Sequence, residues 1–327
     1  MAHWLARTGC HPKVGQTFCV NGEEFSVEGA IGDGAVGIVR KARRKRDQKP
    51  FALKFLAPDP KYIDETVFDD VAVRFRREGE RGAKLDHNSL LRIHAYVPNS
   101  GGDAFGGKGP VNPFLLMECV RGRTLEHFIR RSSQSGEQRL FSVTKDKLSI
   151  AVKICEALTY LHKQKLVHRD VKPANVFLSS GTNPGSVKLG DFGIMKWGDF
   201  HASLATGALT ATSQQGLGTL KYMSPEQAVR PKDVTNRSDI FSLGITLFEL
   251  FTDQILLSPH HVFEVMNARL ILGTTTSRYH QMGYALPSGS EVIAELLLDM
   301  HLRGITRRPS IDKVLGRLQW SLEYYTA

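Results

Sequence analysis

LVHRDVKPANVFL, residues 166–178, sets an acid (Asp170), a lysine (Lys172) and an amide (Asn175) in a short polar window between two apolar pieces. A loop can keep such residues without using them, so their meaning depends on what the rest of the chain places beside them. On the N-terminal side, Ala151, Ile154, Cys155, Leu158 and Leu161 recur at i, i+3, i+4 and i+7, the spacing of a helix with one apolar face. On the C-terminal side, IFSLGITLFELF (240–251) is apolar nearly all round, which predicts a helix buried deep in the protein. The runs 260–272, 290–302 and 310–325 are amphipathic helix candidates.

The N-terminal part reads differently. The first 20 or so residues look irregular. From Glu24 to about Leu56 the pattern is β: FSVEGAI, a glycine-rich turn, VGIVRKA, a basic turn and PFALKFLA. Residues 65–86 predict one helix. NSGGDAFGGKGPVNP (99–113) predicts a flexible surface loop, FLLMECV (114–120) a buried strand, and RRSSQSGEQR (130–139) a second polar loop. A β-rich part of about 100 residues therefore precedes a helical part of about 200, an α+β chain in two lobes with a cleft between them.

The bulk properties narrow the setting. The 327 residues carry a net charge of +10, with 41% hydrophobic and 23% charged residues, as in an ordinary globular protein. No apolar run reaches the ~18–20 residues that span a bilayer, and the N-terminus lacks the apolar core of a signal peptide. Together these make a cytoplasmic protein the expectation, and the start at Met1 favours a natural soluble protein over one part of something larger. The four cysteines (10, 19, 119 and 155) form no C-x-x-C pair, and His3, Cys10, His11 and Cys19 match no common metal spacing. RKARRKR (40–46) reads as a solvated turn; no nucleic-acid motif accompanies it and few aromatics interleave it.

Two stretches of the β part carry chemistry. IGDGAVGIV places Gly32, Gly34 and Gly37 as G-x-G-x-x-G with Val39 two further on. Strand before and strand after argue against a dinucleotide fold, whose motif opens a helix. A glycine hairpin instead lets backbone N–H groups approach phosphates. Asp33, unhelpful near phosphate, should point outward. In PFALKFLA, Ala52 and Lys54 share one strand face about 7 Å apart, while Phe51, Leu53 and Phe55 pack on the other. Glu78 lies on the helical segment that follows.

The ordered series G-x-G-x-x-G-x-V, A-x-K, a helix Glu, H-R-D-x-K-P-x-N, D-F-G (191–193) and S-P-E (224–226) resembles the eukaryotic-type (Hanks-type) serine/threonine protein kinases, most of all their bacterial branch. The resemblance covers residues 24–325. It implies an N-terminal extension (1–23), a small antiparallel β-rich N-lobe with one main helix (24–118) and a larger, mainly helical C-lobe (119–327). It also implies roles. Ile31, Gly32, Gly34 and Gly37 would cover ATP, with Val39 and Ala52 above the adenine and Phe177 below. Met117 would be the gatekeeper, and Glu118 to Val120 the hinge. Lys54 would hold the α- and β-phosphates, oriented by Glu78. Asp170 would accept or position the substrate hydroxyl proton, and Lys172 would neutralise the γ-phosphate. Asn175 and Asp191 would hold Mg2+, or Mn2+.

Further expectations follow from the resemblance. Lys172, two after Asp170, and Thr219, forming the substrate floor, imply serine/threonine acceptors on protein substrates. Arg169 implies control by a phosphate in the activation segment, at Thr210, Thr212 or Ser213, with a homodimer possible during autophosphorylation. Glu226 and Arg308 would form a structural ion pair, and Asp239 would brace the catalytic loop. Pseudokinase scaffolds typically lose the lysine or one of the acids; here Lys54, Glu78, Asp170, Asn175 and Asp191 are all present. A small-molecule phosphotransferase is disfavoured by the intact S-P-E segment and Thr219. No nucleic-acid partner is expected. Gly79 and Gly82, each costing up to ~1 kcal/mol in a helix, predict a Glu78 helix that is easily displaced, so that Gly82→Leu would raise basal activity.

Overall fold

The computed structural model describes residues 13–34, 36–61, 68–98, 111–132, 142–179, 186–191, 221–229, 234–253, 280, 286–287, 289–301 and 305–325. These fall into two compact units, one of residues 13–87 and 91–120, the other of 88–90 and the described residues from 121 onward.

The first unit is built on six antiparallel strands: β1 (Thr17–Val20), β2 (Glu23–Asp33), β3 (Gly37–Arg44), β4 (Pro50–Leu56), β5 (Ile93–Val97) and β6 (Phe114–Glu118). Their spatial order is β1-β2-β3-β4-β6-β5. Alternation along β1 buries Phe18 and Val20, so the irregular reading of the first 20 residues fails at Thr17–Val20. The turn that closes this hairpin is Asn21-Gly22, both with left-handed φ (52° and 78°), as a two-residue hairpin turn requires. One sheet face carries an aromatic core. Phe18 stacks on Phe25 at 5.2 Å, Phe25 meets Phe51 edge-on at 5.2 Å, and Phe55 lies 5.0 Å from Phe114.

The 99–113 loop does not stay at the surface to its end. Val111 is buried in the aromatic core, and the Asn112 Nδ2 donates to the Leu56 carbonyl at 2.8 Å. Leu56 N–H in turn donates to the Pro113 carbonyl at 2.9 Å. Residues 111–113 thus seat the start of β6, while 99–110 lie outside the described residues.

The basic run 40–46 is mostly strand, not turn, because Arg40–Arg44 belong to β3. Its charges are met from β2 and from within the run. Lys41 and Arg43 both reach Glu28, Lys45 reaches Glu24 at 2.6 Å, Arg46 reaches Glu23 at 2.6 Å, and Arg44 bonds Asp47. The two bases hold the Glu28 carboxyl down at about 2, Arg43 contributing most. A basic run answered residue by residue with carboxylates is a poor nucleic-acid footprint.

The helix of this unit, α1 (Phe68–Gly82), buries Val71, Phe75 and Glu78. Its two glycines have a packing cause. A Cβ on Gly79 would lie 2.6 Å from Leu115 Cδ2 and 2.7 Å from Tyr96 Cβ, and one on Gly82 would lie 2.5 Å from Ile93 Cδ1. The small residues let the helix axis press onto β5 and β6, so they fix the helix rather than loosen it. Gly82→Leu is therefore expected to destabilise the fold by about 1–3 kcal/mol through overpacking and to lower activity, the reverse of the expectation from propensity. Thermal unfolding and initial rates of phosphoryl transfer check it; unchanged stability with raised activity would restore the loose-helix reading.

The second unit holds a three-stranded sheet, β7 (Gly122–Thr124), β8 (Val176–Ser179) and β9 (Val187–Leu189), in that order. Among the described residues its helices are α2 (Leu125–Ser132), α3 (Lys145–Lys163), α4 (Pro225–Val229), α5 (Asn236–Thr252), α6 (Glu291–Met300) and α7 (Ile311–Tyr324). Of the loop expected at 130–139, residues 130–132 instead complete α2, and 133–139 lie outside the described residues. The apolar stripe of α3 is buried as its spacing predicted. Every residue of α5 from Ser238 to Thr252 is buried. Thr144 caps α3, Ser310 caps α7, and Thr235 with Ser238 forms a capping box at α5. The candidate helix 260–272 lies outside the described residues. No described helix is long and apolar enough to cross a membrane.

Candidate active site

In the first unit the β2–β3 hairpin carries the glycines. Gly32 pairs with Val39, and the Gly34 N–H donates to the Gly37 carbonyl at 2.8 Å, closing the turn. Gly37 is demanded by packing, for a Cβ there would sit 2.4 Å from the Phe55 carbonyl oxygen. At Gly32 and Gly34 an added Cβ would meet nothing closer than 3.7 Å. The fold alone does not require glycine there, which leaves bare backbone open to a ligand. Asp33 points outward, 60% exposed, with Arg40 at 3.9 Å.

Strand register collects the adenine candidates on one face. Val39 pairs with Lys54, Lys54 with Leu115, and Ala52 with Met117. Phe51, Leu53 and Phe55 fill the opposite face, as alternation predicts. Ala52 and Met117 are buried, Lys54 and Val39 half-buried, and Ile31 is 51% exposed at the rim. Glu78 is 8% exposed on α1, and a carboxylate so far from water must be answered by a cation or donors. At the hinge candidate, the Glu118 N–H donates to the Arg92 carbonyl at 2.9 Å. Cys119 and Val120 follow, half-buried.

In the second unit the loop 168–175 is built by its neighbours. Pro173–Asn175 form one 3-10 turn leading into β8. Asp239, buried at the start of α5, accepts from His168 N–H at 2.9 Å and Arg169 N–H at 2.8 Å, and its Oδ2 lies 2.8 Å from His162 Nε2. The brace expected of Asp239 is present. His168 is fully buried, which pushes its imidazole below the usual range and keeps it neutral. Its Nδ1 then accepts the Asp170 N–H at 3.3 Å. Lys172 Nζ stands 3.1 Å from Asp170 Oδ2, both side chains under 20% exposed. The Asn175 Nδ2 donates to the Asp170 carbonyl at 2.8 Å, so its amide oxygen is the atom left to face a ligand.

The β8–β9 ladder runs on to set Gly190, the residue before Asp191, opposite Asn175. Val176 pairs with Leu189, and Gly190 N–H donates to the Asn175 carbonyl at 2.9 Å, one step beyond. Asp191 follows in a left-handed conformation (φ 58°) with its side chain exposed. The Asn175 amide oxygen and the Asp191 carboxylate are hard oxygen donors, the kind a magnesium-class cation takes. Phe177 is half-buried on β8, paired with Thr124. Phe192, Gly193, Thr210, Thr212, Ser213 and Thr219 lie outside the described residues.

The S-P-E segment is tied down from three sides. Arg308, 1% exposed, forms a two-point pair with Glu226, Nη1–Oε1 at 2.6 Å and Nη2–Oε2 at 2.9 Å. Ser238 Oγ adds a 2.7 Å donation to the same carboxylate. Burial alone would raise the Glu226 carboxyl, but Arg308 outweighs it and holds the group below its ordinary value. Just before it, Lys221 and Tyr222 reach the buried Glu249 at 2.8 and 2.6 Å. Neither Lys221 and Glu249 nor Gln227, whose Nε2 donates to the Arg169 carbonyl at 3.0 Å, stood out in the sequence. Nothing in their spacing signals a long-range partner.

A braced loop holding an acid and a lysine 3.1 Å apart, whose amide residue is bonded to the residue before a second acid, follows the motif order of the sequence. The family model described as "Protein kinase domain" matches residues 25–320. The chain belongs to the protein kinase family. Among curated relatives, serine/threonine-protein kinase PknB of Mycobacterium leprae is 32% identical over 236 residues, 71% of this chain and 33% of that protein. The probable serine/threonine-protein kinase PknB of Corynebacterium glutamicum is 32% identical over 234 residues, 70% and 31% of the two chains. The chain thus matches about a third of the length of these relatives. The solved PknI kinase domain of Mycobacterium tuberculosis superposes with a TM-score of 0.62 at 23% identity, covering 95% of this chain and 100% of that one. That likeness shows the protein kinase fold, with its β-rich N-terminal part and helical C-terminal part.

Proposed function

We propose that the chain is a serine/threonine protein kinase that transfers the γ-phosphoryl group of ATP to hydroxyls of protein substrates. The observation that supports the reading is the braced loop: Asp239 holds the Arg169 N–H next to Asp170, Lys172 Nζ stands 3.1 Å from the Asp170 carboxylate, and Asn175 is tied to the Asp170 carbonyl. Asp170 orients the acceptor hydroxyl and takes its proton. Lys172 balances charge on the transferred group. Lys54, oriented by Glu78, and the backbone of the glycine hairpin hold the other phosphates, while Val39, Ala52, Met117 and Phe177 enclose the adenine and Glu118 to Val120 bond its edge. Asn175 and Asp191 hold the divalent ion, read here as Mg2+ with Mn2+ the second choice. When bound, that ion neutralises phosphate charge and fixes the leaving group. The domain boundaries proposed are 24–118 and 119–327, within a cytoplasmic protein.

Radiolabel from γ-labelled ATP should pass to casein, with phosphoamino-acid analysis giving phosphoserine and phosphothreonine. Label on phosphotyrosine, or none on protein, would refute the substrate class. We further propose control by autophosphorylation at Thr210, Thr212 or Ser213 in a transient homodimer, with the exposed Arg169 receiving the phosphate. After incubation with Mg-ATP, mass spectrometry should find phosphate in 210–213, and phosphatase treatment should lower the rate. Full activity with no phosphate there would end this part of the proposal.

A further inference from the structure

We propose that Gln227 is a positioning residue for Asp170, acting through the Arg169 peptide. The proposal rests on the reading of Asp170 given above. Arg169 is left-handed, φ 67°, a conformation that strains a non-glycine residue and persists only when its surroundings hold it. Both of its backbone groups are held. The N–H goes to Asp239 Oδ1 at 2.8 Å, and the carbonyl accepts from Gln227 Nε2 at 3.0 Å.

That carbonyl and the Asp170 N–H belong to one planar peptide unit. With Gln227 on its oxygen and His168 Nδ1 3.3 Å from its nitrogen, the plane from which Asp170 projects is fixed at both edges. The direction of the Gln227 amide is also fixed. Its Oε1 receives the Ser224 N–H and the Ser224 hydroxyl, both at 3.1 Å, so only Nε2 is left to donate toward Arg169. Gln227 is 7% exposed and follows Glu226, which is clamped by Arg308. The end of the activation segment therefore reaches the peptide that carries the acid through a directed hydrogen bond.

The test uses the full chain with Mg-ATP and casein, comparing Gln227→Leu, Gln227→Glu and Asp170→Asn. Loss of the donor should lower kcat by about 10–100-fold, the effect of misplacing a reacting group by about 1 Å. KM for ATP should stay near wild type, while the unfolding temperature should fall more for Gln227→Leu, which strands Ser224 and the Arg169 carbonyl, than for Gln227→Glu, which keeps the Ser224 bonds. Gln227→Glu keeps the shape but sets a carboxylate against a carbonyl, so its kcat relative to wild type should rise as pH is lowered and the protonated acid donates again. This second variant carries the test if Gln227→Leu fails to fold. Wild-type kcat in either variant, or a pH-independent ratio for Gln227→Glu, overturns the proposal. An Asp170→Asn protein that keeps wild-type activity overturns the underlying reading instead, whatever the Gln227 variants do.

Discussion

Asp170→Asn is expected to lower kcat by about 10²–10⁴-fold while ATP binding and the unfolding temperature stay close to wild type. The separation follows from where the bonds lie. The Asp170 backbone is held by His168, and by Asn175 through its carbonyl, none of which touches the side-chain carboxylate. An amide of the same shape leaves those bonds in place. It removes the proton acceptor and the counter-charge 3.1 Å from Lys172, leaving that lysine to bind phosphate without its acid. Initial rates with casein, nucleotide titration and thermal unfolding on the same preparations measure the three quantities. Residual activity within tenfold of wild type would mean that another group handles the proton and that the role given to Asp170 is wrong.

Glu226→Ala is expected to give the largest loss of stability, about 3–5 kcal/mol, because it strands the Arg308 guanidinium in the interior. Arg308 is 1% exposed, and the contacts it keeps after the mutation include the Arg237 carbonyl at 3.0 Å and the face of Phe241 at 5.1 Å, neither of which carries a formal charge. At ~2–4 °C per kcal/mol the midpoint should fall by on the order of 10 °C. Combining Glu226→Leu with Arg308→Met removes both charges and should recover much of that loss, since the penalty comes from an uncompensated charge. A double variant as unstable as Glu226→Ala would show that packing, not charge, sets the cost. The wild-type pair should also show in acid. The Glu226 carboxyl sits below its ordinary 4.5 in the fold, so its contribution is present above that pH and is lost as pH falls through the folded value.

Much of this was legible in the chain. The order of the short motifs depends only on which residue types phosphoryl transfer needs and how far apart they stand, and both are written in one dimension. The periodicity of α3 was equally plain, because a buried face must repeat at helical spacing, and α5 showed as an unbroken apolar run because it is buried on every side. Other features misled for identifiable reasons. β1 was missed although Asn21-Gly22 is a strong hairpin signal, since the strand it closes has only four residues. The basic run looked like a solvated turn because its carboxylate partners, Glu23, Glu24 and Glu28, lie one strand away.

The sequence by itself determined the family, the two-part α+β order and the residues of the candidate site. Those rest on local pattern and on the chemical needs of an anionic reaction. The tertiary structure alone decided that Gly79 and Gly82 tighten the Glu78 helix, since only the positions of Tyr96, Leu115 and Ile93 show what a side chain there would strike. It alone revealed that Gln227 holds the Arg169 peptide, because a hydrogen bond between residues 58 positions apart leaves no trace in the spacing of either.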